Sequence, residues 1–193
     1  MMKQCIIALR VTIVTLILTG LAYPLVVTGL AQVLFSGRAG GSLIKDDQGK
    51  VVGSELIAQG FASPAYFQPR PSAAGSGYDA TASGGSNLGP TSQKLRDRLT
   101  TDTLRLKAQN PDAPGPVPIE LVTQSGSGLD PDLSPQAALW QVPRVAAARK
   151  VSPDRVQALV EESVEGRALG FLGEPHVNVL RLNLALDRQF GKP

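Results

Sequence analysis

From Val11 to Gly37 the chain runs 27 residues without a charged side chain. At 1.5 Å per residue that stretch makes a helix of roughly 40 Å, longer than the ~30 Å hydrocarbon core of a bilayer. A cleaved signal peptide has a shorter apolar run and ends in small residues of the Ala-x-Ala kind. Leu34-Phe35-Ser36-Gly37-Arg38 does not fit that site, so an uncleaved signal anchor is expected over 11–37, with 1–10 as a short tail. Within it Thr12, Thr15, Thr19 and Tyr23 recur along one stripe with Gly20 beside it. Small and hydroxyl residues on one face let a second helix approach closely, although such hydroxyls also bond back to their own helix. Pro24 removes a backbone donor and predicts a kink.

Past residue 37 the pattern changes to short apolar groups separated by turns. Ser42–Ile44 and Val51-Val52 read as strands around a turn at Asp46–Gly49, and 54–59 as a short helix. Gly60–Pro90 is rich in Gly and Pro, yet Phe61, Tyr66, Phe67 and Tyr78 punctuate it. Aromatic rings in such a segment point to an ordered loop, or to a loop resting on a partner. Thr91–Asn110 has helical spacing, with Leu95, Leu99 and Leu106 on an apolar face and Arg96, Arg98, Arg105 and Lys107 on a solvated basic one. Val117, Ile119 and Leu121 alternate as a strand over 117–123. Ser134-Pro135 and Ser152-Pro153 are N-cap and N1 pairs opening two helices, the second burying Val156, Leu159, Val160 and Val164. Val177–Leu182 reads as a buried strand leading into a terminal helix. The expected fold is mixed α/β: one N-terminal transmembrane helix, then a small outer α/β domain over 38–193, a small sheet with helices packed on it.

Charge narrows the function classes. All 16 acidic residues lie after position 45, and beyond Gly37 they face 17 basic ones. That balance supplies no clustered positive charge for nucleic acid. A single cysteine, Cys5, excludes a disulfide framework and a thiolate metal site. Positive residues flank the apolar stretch almost equally on both sides, so orientation rests on the tolerance of long domains for translocation. The expectation is an N-terminus in the cytoplasm and the domain outside.

Candidate chemistry is sparse. Gly75-x-Gly77-x-x-Ala80 has the letters of a dinucleotide fingerprint but lies in a Pro-rich loop, where that motif does not work. Ser125-Gly126-Ser127-Gly128 follows the expected strand and precedes a helix, a place where backbone amides can cradle an anion. It lacks a P-loop Lys, and the plainer assignment is a tight turn with Asp130 capping it. Asp130 and Asp132 lack the further oxygen ligands of a calcium loop, which leaves helix capping as their expected job. His176 is the only histidine and has no Gly-x-Ser-x-Gly elbow to serve. No catalytic residue, metal site or intrinsic cofactor is assigned.

Longer segments say more. Thr19–Leu25, Ala39–Ile44, Tyr66-Phe67-Gln68-Pro69-Arg70-Pro71-Ser72-Ala73, Ser83-Gly84-Gly85-Ser86-Asn87-Leu88-Gly89, Leu121–Asp130, Gln141–Ala146 and Val177–Asp187 follow in order. Together they resemble the C subunit of the bacterial Kdp-type potassium-transporting P-type ATPase, over about residues 19–187. The resemblance implies an accessory, non-hydrolytic subunit of an ATP-driven, high-affinity potassium import complex. It would be single-pass in the bacterial cytoplasmic membrane. Its implied partners are a channel-like, potassium-selecting subunit and an ATP-hydrolysing P-type subunit, with membrane lipid around the helix. The family is described as a catalytic chaperone that raises the ATPase subunit's affinity for ATP, with nucleotide shared between the two. Tyr66, Phe67, Arg70, Pro71, Ser72, Ser86, Asn87 and Leu88 would then form an interface loop, and Thr12, Thr15, Thr19, Gly20, Tyr23 and Pro24 a helix-packing stripe. Direct ATP binding by this chain runs against the expected placement, because ATP is cytoplasmic and the Gly-rich turns lie outside. Two competing assignments remain: a membrane-tethered outer enzyme acting on a small anionic substrate through Ser127, Asp130 and His176, and a nucleotide-binding regulatory subunit using the Ser125–Gly128 turn.

Overall fold

The computed structural model describes residues 2–46 and 48–193, which divide into two compact units meeting between Val52 and Gly53. The first unit is dominated by one apolar helix from Met2 to Leu34, long enough to cross a membrane, with no side chain buried within the chain. It consists of α1 (Met2–Ile17), a π-helical turn (Leu18–Ala22) and α2 (Tyr23–Leu34). The π turn ends two residues before Pro24, and the Tyr23 amide donates back five residues to the Leu18 carbonyl. A proline cannot donate to the ladder, and the widened turn is where the helix absorbs that loss. The Thr15 hydroxyl donates to the Val11 carbonyl at 2.8 Å and that of Thr19 to the Thr15 carbonyl at 2.7 Å. Two hydroxyls of the stripe are thus satisfied within their own helix. A short α3 (Ser36–Ala39) and the two-stranded ribbon of β1 (Leu43–Lys45) and β2 (Val51–Ser54) follow. Asp46 organises the turn between them, its carboxylate accepting the Gln48 and Lys50 amides.

The second unit has a helical core. It contains α4 (Gln93–Gln109), a 3₁₀ turn (Ile119–Leu121), β3 (Asp132–Leu133), α5 (Pro135–Arg149), α6 (Pro153–Glu162), β4 (Val177–Asn178) and α7 (Val179–Phe190). Strand β3 pairs antiparallel with β4, Leu133 opposite Val177. The strands therefore form two separate ribbons and not the single small sheet expected. The core lies where α5, α6 and α7 meet β3 and β4, filled by Leu133, Val145, Val156, Val160, Val177, Leu182 and Leu186. Each such side chain contributes about 1.5–3 kcal/mol by leaving water.

Local chemistry explains the boundaries. Ser134 caps α5 by accepting the Ala137 amide at 3.2 Å, with Pro135 in the first turn. Helix α5 ends with Lys150 in the left-handed region, its amide bonded to the Ala147 carbonyl and that of Val151 to the Ala146 carbonyl. Asn178 caps α7 through the Arg181 amide. Pro143 sits inside α5, and near this break Asn110 at the end of α4 donates to the Trp140 carbonyl at 2.6 Å.

Three sequence expectations are corrected. Residues 54–59 form no helix: Ser54 ends β2 and the chain turns at 55–57, because the Ser54 hydroxyl accepts the Leu56 amide and competes with helix formation. Residues 117–123 are not a strand: Pro116 and Pro118 remove two amides from the ladder, and the chain closes into the 3₁₀ turn with Ile119 exposed and Leu121 buried. The terminal strand is only two residues long, and its buried face continues as helix α7.

Candidate functional site

Between Ser54 and Gln93 there is no helix or strand, yet Phe67 at its centre is fully buried. A buried backbone without secondary structure must satisfy its polar groups elsewhere. Here side chains of α5 and α7 do so. Asn183 accepts the Phe67 amide at 2.8 Å and donates to the Phe67 carbonyl at 2.9 Å. Gln141 repeats the arrangement one residue on, accepting the Gln68 amide at 2.9 Å and donating to its carbonyl at 3.0 Å. Arg149 donates to the Ala65 carbonyl at 2.7 Å, and Arg144 donates to those of Pro64 and Tyr66. Five consecutive carbonyls, from Pro64 to Gln68, are thereby held by four side chains.

The charges of this clamp are deeply placed. Arg149 is 2% exposed and pairs with Asp187 at 2.8 Å, while the Tyr66 hydroxyl donates to the other Asp187 oxygen at 2.9 Å. The Arg149 guanidinium also lies over the Tyr66 ring, 4.8 Å from its centre. Burial and the neighbouring Asp187 raise the Tyr66 pKa. Desolvation lowers that of Arg144 to about 10, which leaves it charged at neutral pH.

The remaining loop segments gather beside the clamp. Arg70 pairs with Asp130 at 3.0 Å, and its carbonyl accepts the Tyr78 hydroxyl at 2.9 Å. The Ser72 hydroxyl accepts the Ala74 and Tyr78 amides, and the Ser72 carbonyl accepts from Gln124, which is held in turn by Arg98. Arg98 is therefore not part of a wholly solvated basic face. The Ser127 carbonyl receives the Gly84 amide and the Ser83 hydroxyl. Glycine is required at 128, where φ is +68° and a Cβ would sit 2.6 Å from the Gly84 carbonyl oxygen. Phe67 is buried and Pro71, Ser86 and Leu88 are half-buried, whereas Asn87 is exposed with φ at +51°. A cleft of about 580 Å³ opens alongside, walled by Phe61, Pro69, Tyr78 and Trp140 and carrying Arg105 and Arg144.

The Ser125–Gly128 turn is filled by its own hydroxyls: Ser125 accepts the Gly128 amide at 2.8 Å and Ser127 the Leu129 amide at 3.1 Å. The element directly ahead of it is the 3₁₀ turn Ile119–Leu121 and not the expected strand. Asp130 is not a helix cap; it turns the chain by accepting the Asp132 amide and pairs with Arg70, while Ser134 caps the next helix. Asp132 likewise caps no helix; it bonds Asn178 and faces His176. His176 lies 4.0 Å from Asp132 and 3.9 Å from Glu165, with its other ring nitrogen on the Glu174 carbonyl. None of these contacts joins it to Ser127 or Asp130.

The family model described as KdpC, the c chain of a K+-transporting ATPase, matches residues 5–188. The chain belongs to the KdpC family. A protein of Myxococcus xanthus named potassium-transporting ATPase KdpC subunit is 64% identical over 95% of this chain and 87% of its own length. Relatives of the same name from Methylobacterium nodulans (56% identical, 91% of this chain and 92% of the relative) and Bradyrhizobium diazoefficiens (52% identical, all of both chains) agree. The segments that carry the KdpC resemblance are the ones that meet here, since Tyr66–Gln68, Gln141, Arg144, Asn183 and Asp187 all lie within them. Sequence motifs alone gave Gln141, Arg144, Arg149, Asn183 and Asp187 no role. A signal was present: Asn183 occupies an apolar stripe with Val179, Leu182 and Leu186, and Gln141 one with Ala138, Val142 and Val145.

Proposed function

We propose that this chain is the accessory, non-hydrolytic subunit of an ATP-driven potassium import complex. In this reading helix Met2–Leu34 anchors it once in the bacterial cytoplasmic membrane, with the N-terminus inside and residues 38–193 outside. The observation that carries the reading is the match to the potassium-transporting ATPase c chain along residues 5–188. The fold supports it in a second way. The residues best placed to act as acid, base or anion ligand (Asp130, Asp187, Arg144, Arg149 and the Ser125–Ser127 hydroxyls) are engaged in holding loops. The potassium-selecting and ATP-hydrolysing work falls to partner subunits, and any influence on their ATP affinity passes through contacts with them. The stripe from Thr12 to Pro24 is assigned to packing against a partner helix, and the exposed Asn87 to a partner-facing loop.

The test is a tagged pull-down of the full chain from detergent-solubilised, potassium-starved cells, assayed for potassium-stimulated, vanadate-sensitive ATPase. Two larger membrane partners and that activity are expected to come down together. A chain recovered alone and inert overturns the proposal and returns attention to a tethered enzyme, for which His176→Ala is the first variant to assay.

A further inference from the structure

Residues 165–175 are exposed without interruption, the longest such run beyond the N-terminal unit. They form a hairpin finger tied at its base by the Glu165–His176 bridge and near its tip by the Ala168–Leu172 bridge. The tip carries Leu169, Phe171 and Leu172, which are 83%, 69% and 51% exposed. Other exposed large apolar residues of this unit, such as Leu56, Leu104 and Ile119, stand singly along the chain. A cluster of this kind on a small projection marks a contact surface.

The backbone adds a second observation. The Phe171 amide closes a turn onto the Ala168 carbonyl, and the two central residues, Leu169 and Gly170, have φ of +54° and +81°. Positive φ at both centres is the requirement of a mirror-image hairpin turn, where Asn-Gly and Asp-Gly are the comfortable pairs. A leucine there is held in an unfavourable backbone region and in water at once. Folding of this unit gains nothing from either.

The base of the finger selects the occupant. Arg167 pairs with Glu174 at 2.8 Å, Arg181 pairs with Glu55 at 2.7 Å and Glu165 at 2.9 Å, and His176 faces Asp132 and Glu165. Four carboxylates thus surround two guanidiniums, with Glu161 and Glu162 just ahead at the end of α6. Elements that dip into lipid carry Lys and Arg around their apolar residues, the opposite of this rim. An apolar tip with an acidic base fits a protein socket that is apolar within and basic at its edge.

We propose that the 166–173 finger is a docking knob, inserting Leu169 and Phe171 into such a socket on a partner subunit of the complex. This rests on the subunit reading above. The decisive variant is Leu169→Asn, which suits the turn better than leucine while removing the apolar contact. In the full-length detergent-solubilised chain its melting temperature is expected to hold or rise, while recovery of partner subunits in the pull-down falls roughly tenfold, as for a central anchor side chain. Phe171→Ser should lower recovery similarly. A photo-crosslinking residue at 171 in the assembled wild-type complex should join the chain to one co-purifying subunit, identified by mass. Undiminished recovery with Leu169→Asn, or a crosslink to lipid alone, overturns the proposal. A wild-type chain that brings down no partner overturns the subunit reading, and the knob with it.

Discussion

Two irregular stretches of the second unit treat their backbones in opposite ways. Residues 64–68 have no ladder of their own, yet side chains from two helices satisfy every carbonyl and Phe67 is buried completely. Residues 165–175 do have hairpin bridges, yet everything along them faces solvent. Regular hydrogen bonding and structural importance are therefore separable. The clamped segment belongs to the core despite its irregularity, and the finger is an outgrowth despite its order. The contrast predicts that clamp substitutions cost global stability, whereas finger substitutions leave the fold standing and act on assembly.

The largest effect is expected at Arg149. Replacing it with Leu strands the mostly buried Asp187 carboxylate and frees the Ala65 carbonyl. Breaking a buried pair from one side costs about 3–5 kcal/mol. Thermal or denaturant unfolding of the full chain should show that loss, and a change under 1 kcal/mol would mean that the clamp is not part of the core. Asn183→Ala comes next. It leaves the buried amide and carbonyl of Phe67 without partners, at about 1–3 kcal/mol for each group left unsatisfied. Asn183→Leu should not rescue it, because shape alone cannot bond the backbone. Rescue by leucine would show that packing, and not the paired bonds, holds the loop.

Much of the scaffold was legible in the sequence because its signals are local. Ser134-Pro135 and Ser152-Pro153 both open helices, the first through a side-chain cap and the second with proline in the first turn alone. A long apolar N-terminal helix follows from length and charge, although it runs from Met2 to Leu34. The strand over 117–123 failed for an equally physical reason: alternation of Val117, Ile119 and Leu121 counted side chains and overlooked the amides missing at Pro116 and Pro118. The clamp was hidden because its logic is long-range, with 116 residues separating Phe67 from Asn183. Only the two amides Gln141 and Asn183, each inside an apolar stripe, hinted at it. The finger drew no expectation for the opposite reason, since nothing local in a short apolar cluster around Gly170 says whether it is buried or exposed.

The smallest effect sharpens the contrast at the finger's base. The Asp132 carboxylate accepts from Asn178 at 3.1 Å and faces His176 at 4.0 Å, with Asp130 and Glu165 as like charges nearby. Burial, more than those repulsions, raises its pKa above 3.8, while His176 and Asn178 pull the other way. The folded state then holds the proton more tightly than the unfolded one. Stability from this group is full below 3.8 and declines as pH rises through the raised folded value. Asp132→Asn removes that dependence. Relative to the variant, the wild-type chain should lose ground as pH rises through this window, then run parallel to it. With the side chain about a third exposed, the difference should stay below about 1 kcal/mol. Chemical denaturation of both proteins across the acid range measures it. A variant less stable than wild type at neutral pH would mean that the Asp132–His176 attraction outweighs the cost of burying the carboxylate. The base of the finger would then be held by charge in the way the clamp is.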